Sequence, residues 1–126
     1  GTGPGEFALL HNIWVDSNSR VFICDRENNR IQIFNDEGEF IEEWKDMRMP
    51  GDIWITDGTV YVVEQGPGSG VSIWDIDGTP ITRWYGNEGE GKDTILDGHG
   101  ICVDSEGSIY VTEIGSGERV SKFKRL

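Results

Sequence analysis

The sequence holds two histidines, His11 and His99, 88 positions apart, and each stands at the head of an apolar run. An imidazole in such a place is either a polar surface residue at a strand entrance or a ligand for a metal ion. Arg26 sits in a knot of charge, Asp25-Arg26-Glu27, where another apolar run ends. Its guanidinium either balances local charge on a loop, worth about 0–1 kcal/mol, or holds a carboxylate bidentately through its planar fork. Zinc requires neutral imidazole nitrogens at about 2.0–2.1 Å in near-tetrahedral array, and a catalytic site keeps one position open for water or substrate. Two histidines so remote along the chain can share one ion only if the fold turns equivalent positions toward a common axis.

The elements that would do this are written as a repeat. His11-Asn12-Ile13-Trp14-Val15-Asp16 aligns with Gly51-Asp52-Ile53-Trp54-Ile55-Thr56 and with His99-Gly100-Ile101-Cys102-Val103-Asp104. Arg20–Asp25 matches Thr59–Glu64 and Ser108–Glu113; Arg30–Phe34 matches Gly70–Trp74 and Arg119–Phe123; Glu39–Trp44 matches Thr79–Trp84 and has no third copy. From Trp44 to Trp84 the period is 40 residues, which suits four short strands joined by tight turns. Asp16-Ser17-Asn18, Asp36-Glu37-Gly38, Asp57-Gly58, Asp77-Gly78 and Ser105-Glu106-Gly107 supply the turn residues. The reading is all-β: three blades of a β-propeller, at about 9–44, 49–84 and 97–126, each of four antiparallel strands except the last, which stops after its third. The chain is one domain, half of a six-bladed ring.

Three blades do not close a circle, so each terminal blade would leave an apolar face that is costly to keep wet. The expected cover is a second copy related by a two-fold axis, giving six blades, or a missing N-terminal half. The formal charge of −12, from 23 acidic and 11 basic side chains, repels phosphate backbones and anionic lipid, so neither nucleic acid nor a membrane is an expected partner. No apolar run approaches the ~20 residues of a membrane span, and no charged-then-apolar leader precedes the first strand; the chain is expected to be soluble, in the cytoplasm or exported. Cys24 and Cys102 lie inside apolar runs without CxxC spacing and are expected to be buried free thiols.

Asp25, Glu64 and Glu113 end the second strand of each repeat. With Arg30 and Arg119 opening the third strand, the first and last of these carboxylates are expected to tie their own hairpins together, and Glu64, which has no such arginine, to pair with backbone amides. Trp44 and Trp84, on outer strands, are expected to pack blade against blade. "GNEGEGKD", Gly86 to Asp93, reads as an inter-blade loop; no helix follows its glycines, so it is not a phosphate cradle.

The segments "GPGEF", "DRENNRIQIF" and "HGICVDSEGSIYV" resemble NHL repeats, the six-bladed propeller class, across nearly the whole chain. Within that class, "LLHNIWVDSNSRVFICDRENNRIQIF" resembles the peptidyl-α-hydroxyglycine α-amidating lyases. The resemblance implies a zinc ion held by histidines that precede the innermost strand on alternate blades, with His11 and His99 as two of three ligands and Gly51 in the intervening place. It implies that Arg26, in the Asp-Arg-Glu-Asn motif, contacts substrate. The family's third histidine, a tyrosine and a second arginine have no match here and are assigned to the absent half. The family's calcium site uses an acidic residue directly after its last zinc histidine; that place is Gly100, so no such calcium is expected.

By this resemblance the complete enzyme would cleave the carbinolamide of a C-terminal α-hydroxyglycine to a peptide amide and glyoxylate. Zinc would lower the pKa of the substrate hydroxyl and Arg26 would orient the carboxylate, while no general base can be matched. The rival from another class is a non-catalytic NHL module that assembles with itself and presents its channel mouth to a peptide C-terminus or a small ligand. RNA binding is disfavoured by the acidic balance.

Overall fold

A computed structural model describes residues 1–66, 68–85, 95–115 and 117–125; the loop expected at 86–93 lies outside them. Among the described residues, eleven strands form three antiparallel sheets. Blade 1 contains β1 (Leu10–Val15), β2 (Val21–Asp25), β3 (Arg30–Phe34) and β4 (Phe40–Trp44), paired in chain order, with a 3-10 turn at Arg26–Asn28. Blade 2 repeats this with β5 (Pro50–Thr56), β6 (Thr59–Glu64), β7 (Gly70–Asp75) and β8 (Pro80–Tyr85). Blade 3 has β9 (Gly98–Val103), β10 (Ile109–Glu113) and β11 (Val120–Phe123).

The turns follow from residue chemistry. Between β5 and β6 only Asp57 and Gly58 intervene, with φ of 48° and 74°; two consecutive positive φ values match the right-handed twist of a two-residue hairpin, and Asp-Gly tolerates them. Wider turns are closed by carboxylates instead. Asp16 Oδ1 accepts from the backbone N–H groups of Asn18 and Arg20 at 2.9 and 2.8 Å, and Asp104 Oδ1 does the same for Glu106 and Ser108 at 3.0 and 2.9 Å.

The core lies between blades. Strand alternation sends Phe22 and Cys24 to one side of blade 1 and Val21 and Ile23 to the other. Phe22, Cys24, Ile31, Ile33 and Trp44 meet Ile53, Val60, Val62 and Trp74 of blade 2. The opposite side of blade 2, with Val63 and Val71, meets Ile101, Val103, Ile109 and Val111 of blade 3. Trp44 stacks on Trp74 with ring centroids 5.9 Å apart, and Trp84 meets Phe123 edge-on at 5.6 Å, as expected for packing between blades.

Repeat-equivalent residues on the leading side of blade 1 lack such cover. Ile13 is 58% exposed, whereas its equivalents Ile53 and Ile101 are 2% and 6% exposed. One cysteine departs from expectation. Cys24 is buried, but Cys102 is exposed, because the side of β9 that carries it faces away from blade 2, where Trp14 and Trp54 stand in the other blades.

Candidate functional site at the axial mouth

All three innermost strands carry the same irregularity. Leu10 pairs with Asp25 and Ile13 with Ile23, so His11 and Asn12 together oppose the single residue Cys24. In blade 2, Pro50 pairs with Glu64 and Asp52 with Val63, leaving Gly51 as the extra residue; in blade 3, Gly98 pairs with Glu113 and Gly100 with Thr112, leaving His99. A β-bulge of this kind frees one residue from the ladder and re-aims its side chain. The bulge therefore falls on the histidine position of every blade.

Asp52 ties these entrances together. Its Oδ2 accepts from Ile101 N–H of blade 3 at 2.8 Å, its Oδ1 accepts from its neighbour Ile53 N–H at 2.8 Å, and it pairs with the Asn12 side chain of blade 1. One carboxylate thus joins the inner strands of three blades.

The outcome is that His11 and His99 meet. Their ring centroids are 6.1 Å apart with planes inclined at 62°, and together with Arg26, Gln65, Asp97 and Ile114 they line a cavity of about 170 Å3. Arg26, Gln65 and Ile114 are themselves repeat-equivalent, each following the acid that ends its blade's second strand. Gly51 does not leave a gap: a Cβ there would collide with the Gln65 side chain, which lies over it. Arg26 Nη1 contacts Glu27 Oε1 at 3.3 Å, and its buried Nε has no hydrogen-bond partner among the described residues. Among the described residues, no three His, Cys, Asp or Glu side chains are grouped so as to hold a metal ion.

The acids beneath the mouth hold the blades in register. Asp25 Oδ1 accepts from Ala8 N–H at 2.9 Å, and its Oδ2 accepts from Asn28, Arg30 Nε and Gln32 at 3.0, 2.7 and 3.2 Å. Glu113 accepts from Leu96 N–H at 2.7 Å, Arg119 Nε at 2.7 Å and Ser121 at 2.6 Å. Glu64 accepts from Arg48 N–H at 2.5 Å and from Tyr85 at 3.1 Å, and the Arg48 guanidinium stacks over the Tyr85 ring at 3.5 Å.

The hairpin ties expected for Asp25 and Glu113 and the amide pairing expected for Glu64 are all present. What the sequence did not disclose is that in every blade the amide comes from the segment leading into that blade's first strand, at Ala8, Arg48 and Leu96. Burial opposes ionisation of Asp25 and Glu113, but the hydrogen bonds outweigh it and hold both carboxyls below their ordinary range.

No protein-family model matches the chain. It is 34% identical to human NHL repeat-containing protein 3 over 100% of its own length and 31% identical to the mouse protein of that name over 98%. Virginiamycin B lyase from Staphylococcus aureus superposes on 92% of the chain with a TM-score of 0.66 at 17% identity. The three sheets are NHL-type β-propeller blades. The chain spans 38% and 37% of the lengths of the two NHL relatives and 41% of the lyase, and at 17% identity the lyase attests to the propeller fold alone.

Proposed function

We propose that this NHL propeller chain supplies part of the axial mouth of an amidating-lyase-like site, with His11 and His99 as two imidazole ligands for zinc and Arg26 as the anchor for a substrate carboxylate. The supporting observation is the approach of two histidines 88 positions apart to a ring separation of 6.1 Å beside Arg26. Rings that share one ion at 2.0–2.1 Å have centroids about 5–6 Å apart, so the pair needs little adjustment. The donors suit zinc in type and fall short in number, since two imidazoles alone do not make a site. A bound zinc would supply Lewis-acid polarisation of the substrate's hydroxyl.

Arg26 acts on the other end of the substrate. Its side chain is partly exposed and lines the cavity, so its Nη groups can take a peptide C-terminal carboxylate and fix the reacting carbon beside the imidazoles. Completion of the ring belongs to the same reading. The exposed Ile13 side of blade 1 is equivalent to the sides that blades 2 and 3 bury, and it takes another blade of this kind, from a second copy or from further chain.

The second reading is a non-catalytic module that assembles through its exposed apolar sides, such as that of Ile13, and binds peptide C-termini or small ligands. Calorimetric titration with zinc separates the two. One high-affinity site that is lost in both His11→Ala and His99→Ala supports the lyase-like mouth. Absence of binding by the closed ring, with its assembly unaltered, overturns it and leaves the module.

A further inference from the structure

Blade 1 leaves uncovered the side that blades 2 and 3 bury. Ile13 and Val15 are 58% and 59% exposed, and Phe7, Val21, Ile23 and Phe34 line an open cavity of about 380 Å3 edged by Asp36. Their counterparts in blade 2, among them Ile53, Val60, Val62 and Trp74, pack against blade 1. The free side of blade 3 is of another kind. Where blade 1 presents Cys24 and Ile33 to its neighbour and blade 2 presents Val63 and Ile73, blade 3 carries Thr112 and Lys122.

We propose that these two sides belong together: blade 3 of a second copy covers the open side of blade 1, and the reciprocal seam closes a two-fold ring of six blades, with Lys122 of each copy set against Asp36 of the other. The proposal rests on the ring completion in the reading above and is independent of its zinc.

Charge selects this occupant. Counting on from Phe34, Trp74 and Phe123, residues Asp36, Ile76 and Arg125 hold one repeat position, as Ile33, Ile73 and Lys122 hold another. Between blades 2 and 3 these two positions meet, since Ile73 and Arg125 line one cavity. At the proposed seam the same two positions carry Lys122 and Asp36, which are opposite charges. Neither is in an ion pair among the described residues.

Between blades 1 and 2 a cation already makes such a crossing. The Arg20 guanidinium lies 5.2 Å from the Phe22 ring centroid and donates to the Ile76 carbonyl at 3.4 Å. Lys122 Nζ stands 5.1 Å from the ring centroid of Tyr110, the counterpart of Phe22.

The outer rim fits the same partner. Trp44 of blade 1 stacks on Trp74 of blade 2, but blade 3 has no fourth strand among the described residues and brings no such indole. Phe34, the counterpart of Trp74, is served from its own chain: Phe7 and Phe40 meet it with centroids 6.0 and 5.8 Å away.

The test is sedimentation velocity of the whole chain over a concentration series, with a chelator present so that metal plays no part. The wild type should pass from monomer to dimer. Asp36→Lys and Lys122→Glu should each weaken association by about tenfold or more, because the ring repeats the like-charge contact in both seams. The double variant restores opposite charges and should recover the dimer. Both side chains are exposed, so the substitutions spare the fold, which circular dichroism checks. Cys102, exposed on the same side of blade 3, should label freely in dilute chain and become protected as the dimer forms.

A folded chain that stays monomeric across the series would overturn the proposal and leave the open side of blade 1 to further chain, with ring completion itself intact. A dimer that Ile13→Asp abolishes but the charge variants leave unchanged would overturn the pairing, since blade 1 would then dock on something other than the Lys122 side.

Discussion

Replacing Asp25 by alanine should destabilise the chain by about 3 kcal/mol. The estimate follows from what its carboxylate serves: four donors, from Ala8, Asn28, Arg30 and Gln32, all at 3.2 Å or less, around a side chain with no exposed surface. Removing one partner of a buried ion pair costs about 3–5 kcal/mol, because the other charge is left desolvated. Arg30 is not wholly orphaned. It still reaches Glu43 at 2.8 Å and the carbonyls of Thr2, Gly3 and Glu6 at 2.8–3.1 Å, which places the cost at the lower end of that range.

Arg30→Met should cost a similar amount, since Asp25 keeps its other three donors. The double variant should lose about 4 rather than about 6 kcal/mol, a coupling of about 2 kcal/mol between residues in direct contact. Urea unfolding followed by tryptophan fluorescence measures all three. Lys45→Ala serves as the control: its ammonium pairs with Glu43 at 2.9 Å but is 69% exposed, and the loss should stay below about 1 kcal/mol. Additive single-variant losses, or an Asp25→Ala loss no larger than that of the control, would refute the claim that the buried acid organises blade 1.

The depressed carboxyls fix the direction of acid sensitivity. Asp25 and Glu113 titrate in the native chain below their ordinary values of 3.8 and 4.5, so their contribution is complete above those values and fades as pH falls through the lowered native ones. Unfolding free energy should hold steady from neutrality to about pH 5 and then drop, and Glu113→Gln should flatten part of that drop. The cysteines should separate cleanly in thiol labelling at pH 8. Burial and the neighbouring Asp52 charge push the Cys24 thiol up to about 12, so only Cys102 should react in the native chain, with Cys24 following on unfolding; protection of Cys102 would show that a second copy covers blade 3.

The fold was legible because its determinants are local. Alternating apolar positions, Asp-Gly turns and a 40-residue period write each hairpin into its own segment, and the Asp25–Arg30 and Glu113–Arg119 pairs join residues five or six apart. The meeting of His11 with His99 needed one further step, that equivalent positions face one axis, and the resemblance to known propellers supplied it.

What stayed hidden depends on register and on sequence-distant neighbours. Nothing in "HNIWV" or "HGICV" states that one residue of the inner strand has no partner across the ladder. Cys102 resembled Cys24 in hydropathy, yet which side of a strand faces the next blade is decided by how the sheets stack. Asp97 passed unnoticed because it lies outside the repeat motif and reaches the mouth only through the fold.

The recurring bulge gives each blade one residue outside the ladder, but only blades 1 and 3 leave it exposed, as histidine; in blade 2 Gly51 is buried beneath Gln65. At the two exposed positions a side chain can change its chemistry without disturbing the scaffold, whereas a side chain at Gly51 requires Gln65 to move first. The rim of the channel thus carries open sockets on alternate blades, where new reactivity could be installed while the walls remain as they are.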